Sequence, residues 1–177
     1  MTKDNGKVAI VTGGGSGIGK ASAIALLNDG YSVVISGRRE DPLTKTVEEN
    51  GNSPRILGIT CDVGDPESVK NLIPKFIKAS GFIISAPEYN GSIPPILTNL
   101  IAWISVSTDQ WREVFNGKKA LIGTHSGGGG NNFIQSMKIQ LGHLGAIVLP
   151  RTIVVNSYTK FDEESTKVKI KQLNDLL

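Results

Sequence analysis

The sequence predicts an α/β protein: a single doubly wound, three-layer α/β/α domain whose parallel sheet has the strand order 3-2-1-4-5-6. Two observations carry that expectation. Short β-branched and apolar runs alternate along the whole chain with segments whose apolar residues recur at helical spacing, and such alternation builds right-handed βαβ units covered by helices on both faces. Both glycine runs, Gly13-Gly14-Gly15 and Gly127-Gly128-Gly129-Gly130, stand between a strand and a helix, at the carboxyl ends where such sheets bind ligands.

Residues 7–12 form an apolar strand that stops at Gly13. Ile18, Ala21 and Ala25 then give residues 18–27 a helical period, closed by Asn28-Asp29-Gly30. Residues 31–36 are a second strand, residues 42–50 a helix ended by Gly51, and residues 55–61 a third strand. Asp65-Pro66 offers a cap with proline in the first turn, opening a helix towards Ala79. Residues 81–86 are a fourth strand. Ile96, Leu97, Leu100, Ile101 and Ile104 mark a helix over 94–105, and residues 120–123 are a fifth strand. Phe133, Met137, Leu141 and Leu144 share the apolar face of a helix over 131–144, residues 146–149 are a sixth strand, and a last amphipathic helix runs from Glu163 to Leu177 behind Asp162. No repeat or low-complexity linker divides the chain.

Composition narrows the function classes. Nineteen Lys and Arg against sixteen Asp and Glu leave a formal charge of +3, and the basic residues are scattered, which argues against a nucleic-acid partner. No apolar stretch has the length of a signal peptide or reaches the roughly 18 residues of a membrane span. The single Cys61 cannot form an internal disulfide, so a soluble, cytoplasmic protein is expected. His125 and His143 lack neighbours at metal-ligand spacing, so no metal is expected. Glycine is the excess: 21 residues, against about 12 at average usage.

The first run, Thr12-Gly13-Gly14-Gly15-Ser16-Gly17-Ile18-Gly19, lets backbone pass close to a phosphate while the amides and positive end of the following helix attract it. With Gly37-Arg38-Arg39 and Cys61-Asp62-Val63 at the next two strand ends, residues 7–70 resemble the first third of a short-chain dehydrogenase/reductase. That resemblance implies a dinucleotide held by Gly13, Ser16, Gly17, Ile18 and Gly19, with Asp62 and Val63 beside the adenine. Arg38, with Arg39, suits the 2′-phosphate of NADP. The resemblance stops after the fourth strand. Tyr158-Thr159-Lys160 has the wrong spacing for the family's Tyr-x-x-x-Lys, whose members share a helix face, and dehydrogenase chemistry of that kind is not expected.

From about residue 81 to 155 the chain resembles the NAD(P)H-dependent FMN reductases of the flavodoxin-like superfamily. The carrying residues are Pro87-Glu88-Tyr89-Asn90-Gly91-Ser92-Ile93-Pro94-Pro95 and Ser126-Gly127-Gly128-Gly129-Gly130 before a helix. This resemblance implies that Pro87, Glu88, Tyr89, Asn90 and Gly91 pack on a flavin ring which Ser126, Gly127, Gly128 and Gly129 flank. It also implies a homodimer formed through helices near the 87–92 segment. That family's own Ser- and Arg-containing phosphate loop is replaced here by Thr12-Gly13-Gly14-Gly15-Ser16-Gly17-Ile18-Gly19-Lys20.

Two half-families therefore stand in one chain, residues 1–75 and 76–177, with a seam near residues 71–78. Strand order is compatible with both parents, while mismatched packing at the seam would cost about 1–5 kcal/mol. The leading reading is FMN with its phosphate on the first glycine loop, taking hydride from NAD(P)H and passing electrons to a small-molecule acceptor. The flavin would carry the chemistry, so no catalytic side chain is named. The alternatives are an NADP-binding module without turnover, in which NADP occupies the same loop and excludes FMN, and a non-functional or engineered chimera.

Overall fold

A computed structural model of the chain describes residues 4–62, 64–107 and 109–177. The strands are β1 (Val8–Thr12), β2 (Ser32–Gly37), β3 (Ile56–Thr60), β4 (Gly81–Ser85), β5 (Lys119–Ser126), β6 (Ile147–Val148) and β7 (Ile153–Asn156). The helices are α1 (Gly17–Asn28), α2 (Glu40–Glu49), α3 (Pro66–Lys78), α4 (Pro95–Ser107), α5 (Trp111–Phe115), α6 (Asn131–His143) and α7 (Glu163–Leu176). Every strand pairing is parallel, the order is β3-β2-β1-β4-β5-β6 as expected, and β7 also pairs with β5. Strand order reverses between β1 and β4, which opens the crevice where a ligand can enter.

Alternate strand residues fill two cores. Ile10, Val34, Phe82 and Ile84 point towards α3 and α4, where they meet Val69, Leu72, Phe76, Leu97 and Leu100. Val11, Val33, Ile35, Ile83 and Leu121 point the other way, towards Leu26 of α1 and Ile170 and Leu173 of α7. Each core thus draws residues from both sides of Lys75. The two sides are also tied by a polar contact, in which the Tyr31 hydroxyl donates to Asn174 Oδ1 (2.7 Å); within the second side, Lys118 Nζ donates to the carbonyls of Phe76, Ile77 and Ala79 at the end of α3. At the other end of that helix Asp65 accepts from the amides of Glu67 and Ser68, which is the cap expected there.

Three elements depart from the sequence reading. The expected sixth strand is shorter, with β6 pairing at Lys119 and Ala120, and a strand that was not expected, β7, takes over the same edge opposite residues 123–126. Pro150 lies between them, with no amide to donate and a fixed φ. β5 runs on to Ser126 because β7 gives its second half a partner, and the five-residue α5 was not foreseen.

Burial, aided by the charges of Asp29 and Asp175, pushes the Tyr31 phenol from 10.0 to about 12. A pKa raised by folding contributes stability that is complete below pH 10 and is lost as pH climbs to 12. Cys61, raised to about 11 chiefly by burial, adds a similar loss starting lower. Denaturant unfolding of Tyr31→Phe should therefore show a smaller drop in stability between pH 10 and pH 12 than the unchanged chain; equal drops would contradict this.

Candidate functional site

The turn from β1 into α1 is drawn tight by backbone contacts. The amides of Gly13 and Gly14 both donate to the Ser36 carbonyl (2.8 and 3.3 Å), and Gly13 and Gly17 have φ of +68° and +52°. A Cβ at Gly14 would stand 2.6 Å from Ile35 Cβ, and one at Gly19 only 2.3 Å from the Gly13 carbonyl oxygen. No side chain fits either place. Ser16 caps α1 in an extended conformation, and its hydroxyl makes no cap hydrogen bond. The first-turn amides of Gly17, Ile18 and Gly19 have no intrahelical partner and stand at the positive end of the helix dipole. Ile18 contributes only its backbone there, since its side chain is buried.

Beside this turn lies a cleft of about 410 Å³ that Gly13, Gly15 and Ser16 share with Arg38, Arg39 and Pro42. Both arginines are exposed. A second cleft, of about 380 Å³, meets the first at Gly13, Gly37 and Arg38. Its lining includes Thr12, Ser36, Cys61, Leu72, Pro87, Leu97 and Leu100. Asp62 lies at the end of β3 with its carboxylate accepting from the Gly64 amide (2.9 Å). Val63, expected beside it, lies outside the described residues.

On the other flank of the crevice, the loop after β4 and the loop after β5 are locked together. The Glu88 amide donates to Ser126 Oγ (2.7 Å), which also bonds Thr124 Oγ1 (3.0 Å). The Glu88 carboxylate accepts from the amides of Asn132 and Phe133 (2.9 and 3.2 Å), placing a negative charge at the start of α6, where the dipole favours it. Tyr89 and Ser92 exchange backbone hydrogen bonds around Asn90 and Gly91, both at positive φ. This is the two-residue turn for which Asn-Gly is suited. Tyr89 itself is exposed. Gly130 starts α6 at φ +73°, and a Cβ there would stand 2.7 Å from Thr124 Cγ2. At Gly127 and Gly128 a Cβ would meet nothing within 4 Å, so that backbone faces open space.

The structure thus gathers Gly13, Ser16, Arg38 and Arg39 around one cleft and joins the 87–91 loop to the 126–130 loop. Pro87 and Gly13 both line the second cleft. Sequence reasoning missed Asn156 and Ser157, which reach the second glycine run from β7: Ser157 Oγ donates to the Gly127 carbonyl (2.6 Å) and Asn156 Nδ2 to that of Gly129 (3.4 Å). It also missed Ser36, Leu97 and Leu100 as cleft residues, though the alternation of β2, which turns Ser36 to the side of Val34, could have found the first. Among the described residues no group of three or more His, Cys, Asp or Glu is placed to hold a metal ion, and no helix is long and apolar enough to cross a membrane.

Fold and site together define a doubly wound α/β protein with its loops gathered at the switch point. Residues 42–160 match the model of the NADPH-dependent FMN reductase family, and the chain belongs to that family. It is also similar to an oxidoreductase of Staphylococcus haemolyticus, 41% identical over 83 residues that make up 47% of this chain and 36% of the relative. Versicolorin reductase 1 of Aspergillus parasiticus is 38% identical over 81 residues, 45% of this chain and 31% of that protein. The chain spans about a third of the length of these relatives. Among solved structures, a short-chain dehydrogenase from Mycobacterium smegmatis has a TM-score of 0.59 at 18% identity, covering 97% of this chain and 88% of the other. One from Streptomyces avermitilis has a TM-score of 0.57 at 15% identity, covering 97% and 84%. These likenesses show the fold.

Removing the Glu88 carboxylate should free the α6 amides it holds. Glu88→Ala is expected to lose about 1–2 kcal/mol of stability and to speed hydrogen exchange at Asn132 and Phe133, read by NMR. Unaltered exchange at those two amides would show that the carboxylate is not their partner in solution.

Proposed function

We propose that the protein is an NAD(P)H-dependent FMN oxidoreductase whose flavin phosphate is held by the first glycine loop and whose flavin ring lies against the 87–91 and 126–129 loops. The observation that carries this reading is the Glu88 lock, which sets those two loops beside each other at the ends of β4 and β5. The residues present suit the groups they would meet. The contact of Gly19 on Gly13 leaves no room for a side chain, and the first-turn amides and the Ser16 hydroxyl offer donors to a phosphate. The amides of Gly13 and Gly14 are taken by Ser36, so the binding falls to residues 15–19. The open backbone at Gly127 and Gly128 leaves space for a planar ring.

When bound, FMN supplies the redox chemistry, accepting hydride from NAD(P)H and passing electrons to a small-molecule acceptor. The chain's own part is to bind and orient, and no side-chain acid or base is assigned. In this reading residues 1–75 and 76–177 are two halves of different ancestry that share one sheet, a chimera in the descriptive sense. The reading includes a homodimer through α4, where Ile96 and Val106 are exposed.

The cleft shared by Gly13, Ser16, Arg38 and Arg39 favours a second reading, in which NADP occupies the loop with its 2′-phosphate on the arginines. Since one loop serves both phosphates, the two ligands compete. Titration of the purified chain with FMN should give saturable quenching of flavin fluorescence, and excess NADP⁺ should suppress it. In Arg38→Ala the suppression should need about tenfold more NADP⁺, while FMN affinity stays the same. Absence of quenching would defeat the flavin reading, and NADP⁺ binding without quenching would favour the module that binds without turnover.

A further inference from the structure

Resting on the flavin reading above, we infer that the turn after β7, residues 156–159, is a third wall of the same site, and that Tyr158 is the side chain with which it covers the planar flavin ring. Neither family resemblance in the sequence pointed to this segment as part of a ligand site. It is brought there by β7, whose register sets Asn156 opposite Ser126.

The turn is fastened at both of its faces. Outwardly, Ser157 Oγ donates to the Gly127 carbonyl (2.6 Å) and Asn156 Nδ2 to the Gly129 carbonyl (3.4 Å). These two carbonyls bracket the stretch whose backbone faces open space at Gly127 and Gly128. Inwardly, Asn156 Oδ1 accepts from the amides of Tyr158 and Thr159 (2.8 and 2.7 Å), and the Asn156 amide donates to the Thr159 carbonyl (2.9 Å). The turn is therefore ordered before any ligand arrives, so that little conformational entropy remains to be lost when one binds.

On this ordered turn Tyr158 is 89% exposed. Its Cα is only about 3.8 Å from that of Ser157, the residue bonded to Gly127. Tyr89 is also exposed, at 54%, and directly follows Glu88, whose amide is bonded to Ser126. Two aromatic side chains with apolar faces in water thus stand one residue from the two groups that grip the residue 126–127 junction. In the inferred arrangement a planar aromatic ligand on the open glycine backbone has Tyr89 and Tyr158 as its aromatic neighbours. Aromatic rings gain from offset or edge contact with such a ligand, and a tyrosine offers that area while losing little side-chain freedom.

The test compares Tyr158→Ala and Tyr158→Phe with the unchanged chain by FMN fluorescence titration, with thermal melting in parallel. Tyr158→Ala should bind FMN about three- to tenfold more weakly and leave the bound flavin brighter, with melting unaltered. Tyr158→Phe should keep both affinity and quenching, since the ring remains. Ser157→Ala, which frees the turn from Gly127, should lose affinity in the same direction. FMN binding by the unchanged chain that Tyr158→Ala leaves within twofold would overturn the inference alone; failure of the unchanged chain to bind FMN would remove the flavin reading and this inference with it.

Discussion

A Cβ at Gly19 would sit 2.3 Å from the Gly13 carbonyl oxygen, so helix α1 can begin where it does only because no side chain stands there. That single backbone contact sets the rest of the site. It presses the start of α1 onto the end of β1 and turns the first-turn amides towards the crevice. Ser36 tightens the same turn from β2 by accepting from Gly13 and Gly14. The two amides consumed in this way are unavailable to a ligand, which leaves the helix end and the Ser16 hydroxyl as the donors on this bank.

The opposite bank of the crevice is built on a different principle. There a carboxylate, Glu88, replaces a hydroxyl cap at the start of α6 and in doing so joins two loops that are 38 or more residues apart in sequence. One bank is thus shaped by the absence of side chains and the other by a charged one. Their union depends on the sheet, because β1 and β4 pair directly through residues 9–11 and 81–83. The contact of Tyr31 with Asn174 adds to this by tying residues before Lys75 to residues after it. Burial weakens the proton affinity of Lys118, which marks the cost of setting an ammonium group among carbonyls partly removed from water.

Much of the fold was legible because its signals are local. Strands β1 to β5 are short apolar runs stopped by glycine or by polar turns, and the caps Asp65 and Asp162 stand where their helices begin. The division of the last edge into β6 and β7 was not read, although Ile153-Val154-Val155 is a β-branched run just beyond Pro150. The glycine runs were legible as turns between strand and helix because their chemistry is that of the backbone. The task of Glu88 was not, since a glutamate in a loop does not announce a helix start 44 residues away. The same is true of Asn156 and Ser157, whose places follow from strand register and from no feature of their own neighbourhood.

The central claim is that the first glycine loop and the locked pair of loops form one ligand site. It is tested most directly by following the backbone amides of the ¹⁵N-labelled protein by NMR as FMN is added. The expected result is that the amides of Gly15, Gly17 and Gly19 and those of Gly91, Gly127 and Gly128 shift together along one saturation curve. Shifts confined to one of the two groups, or following two separate curves, would contradict it.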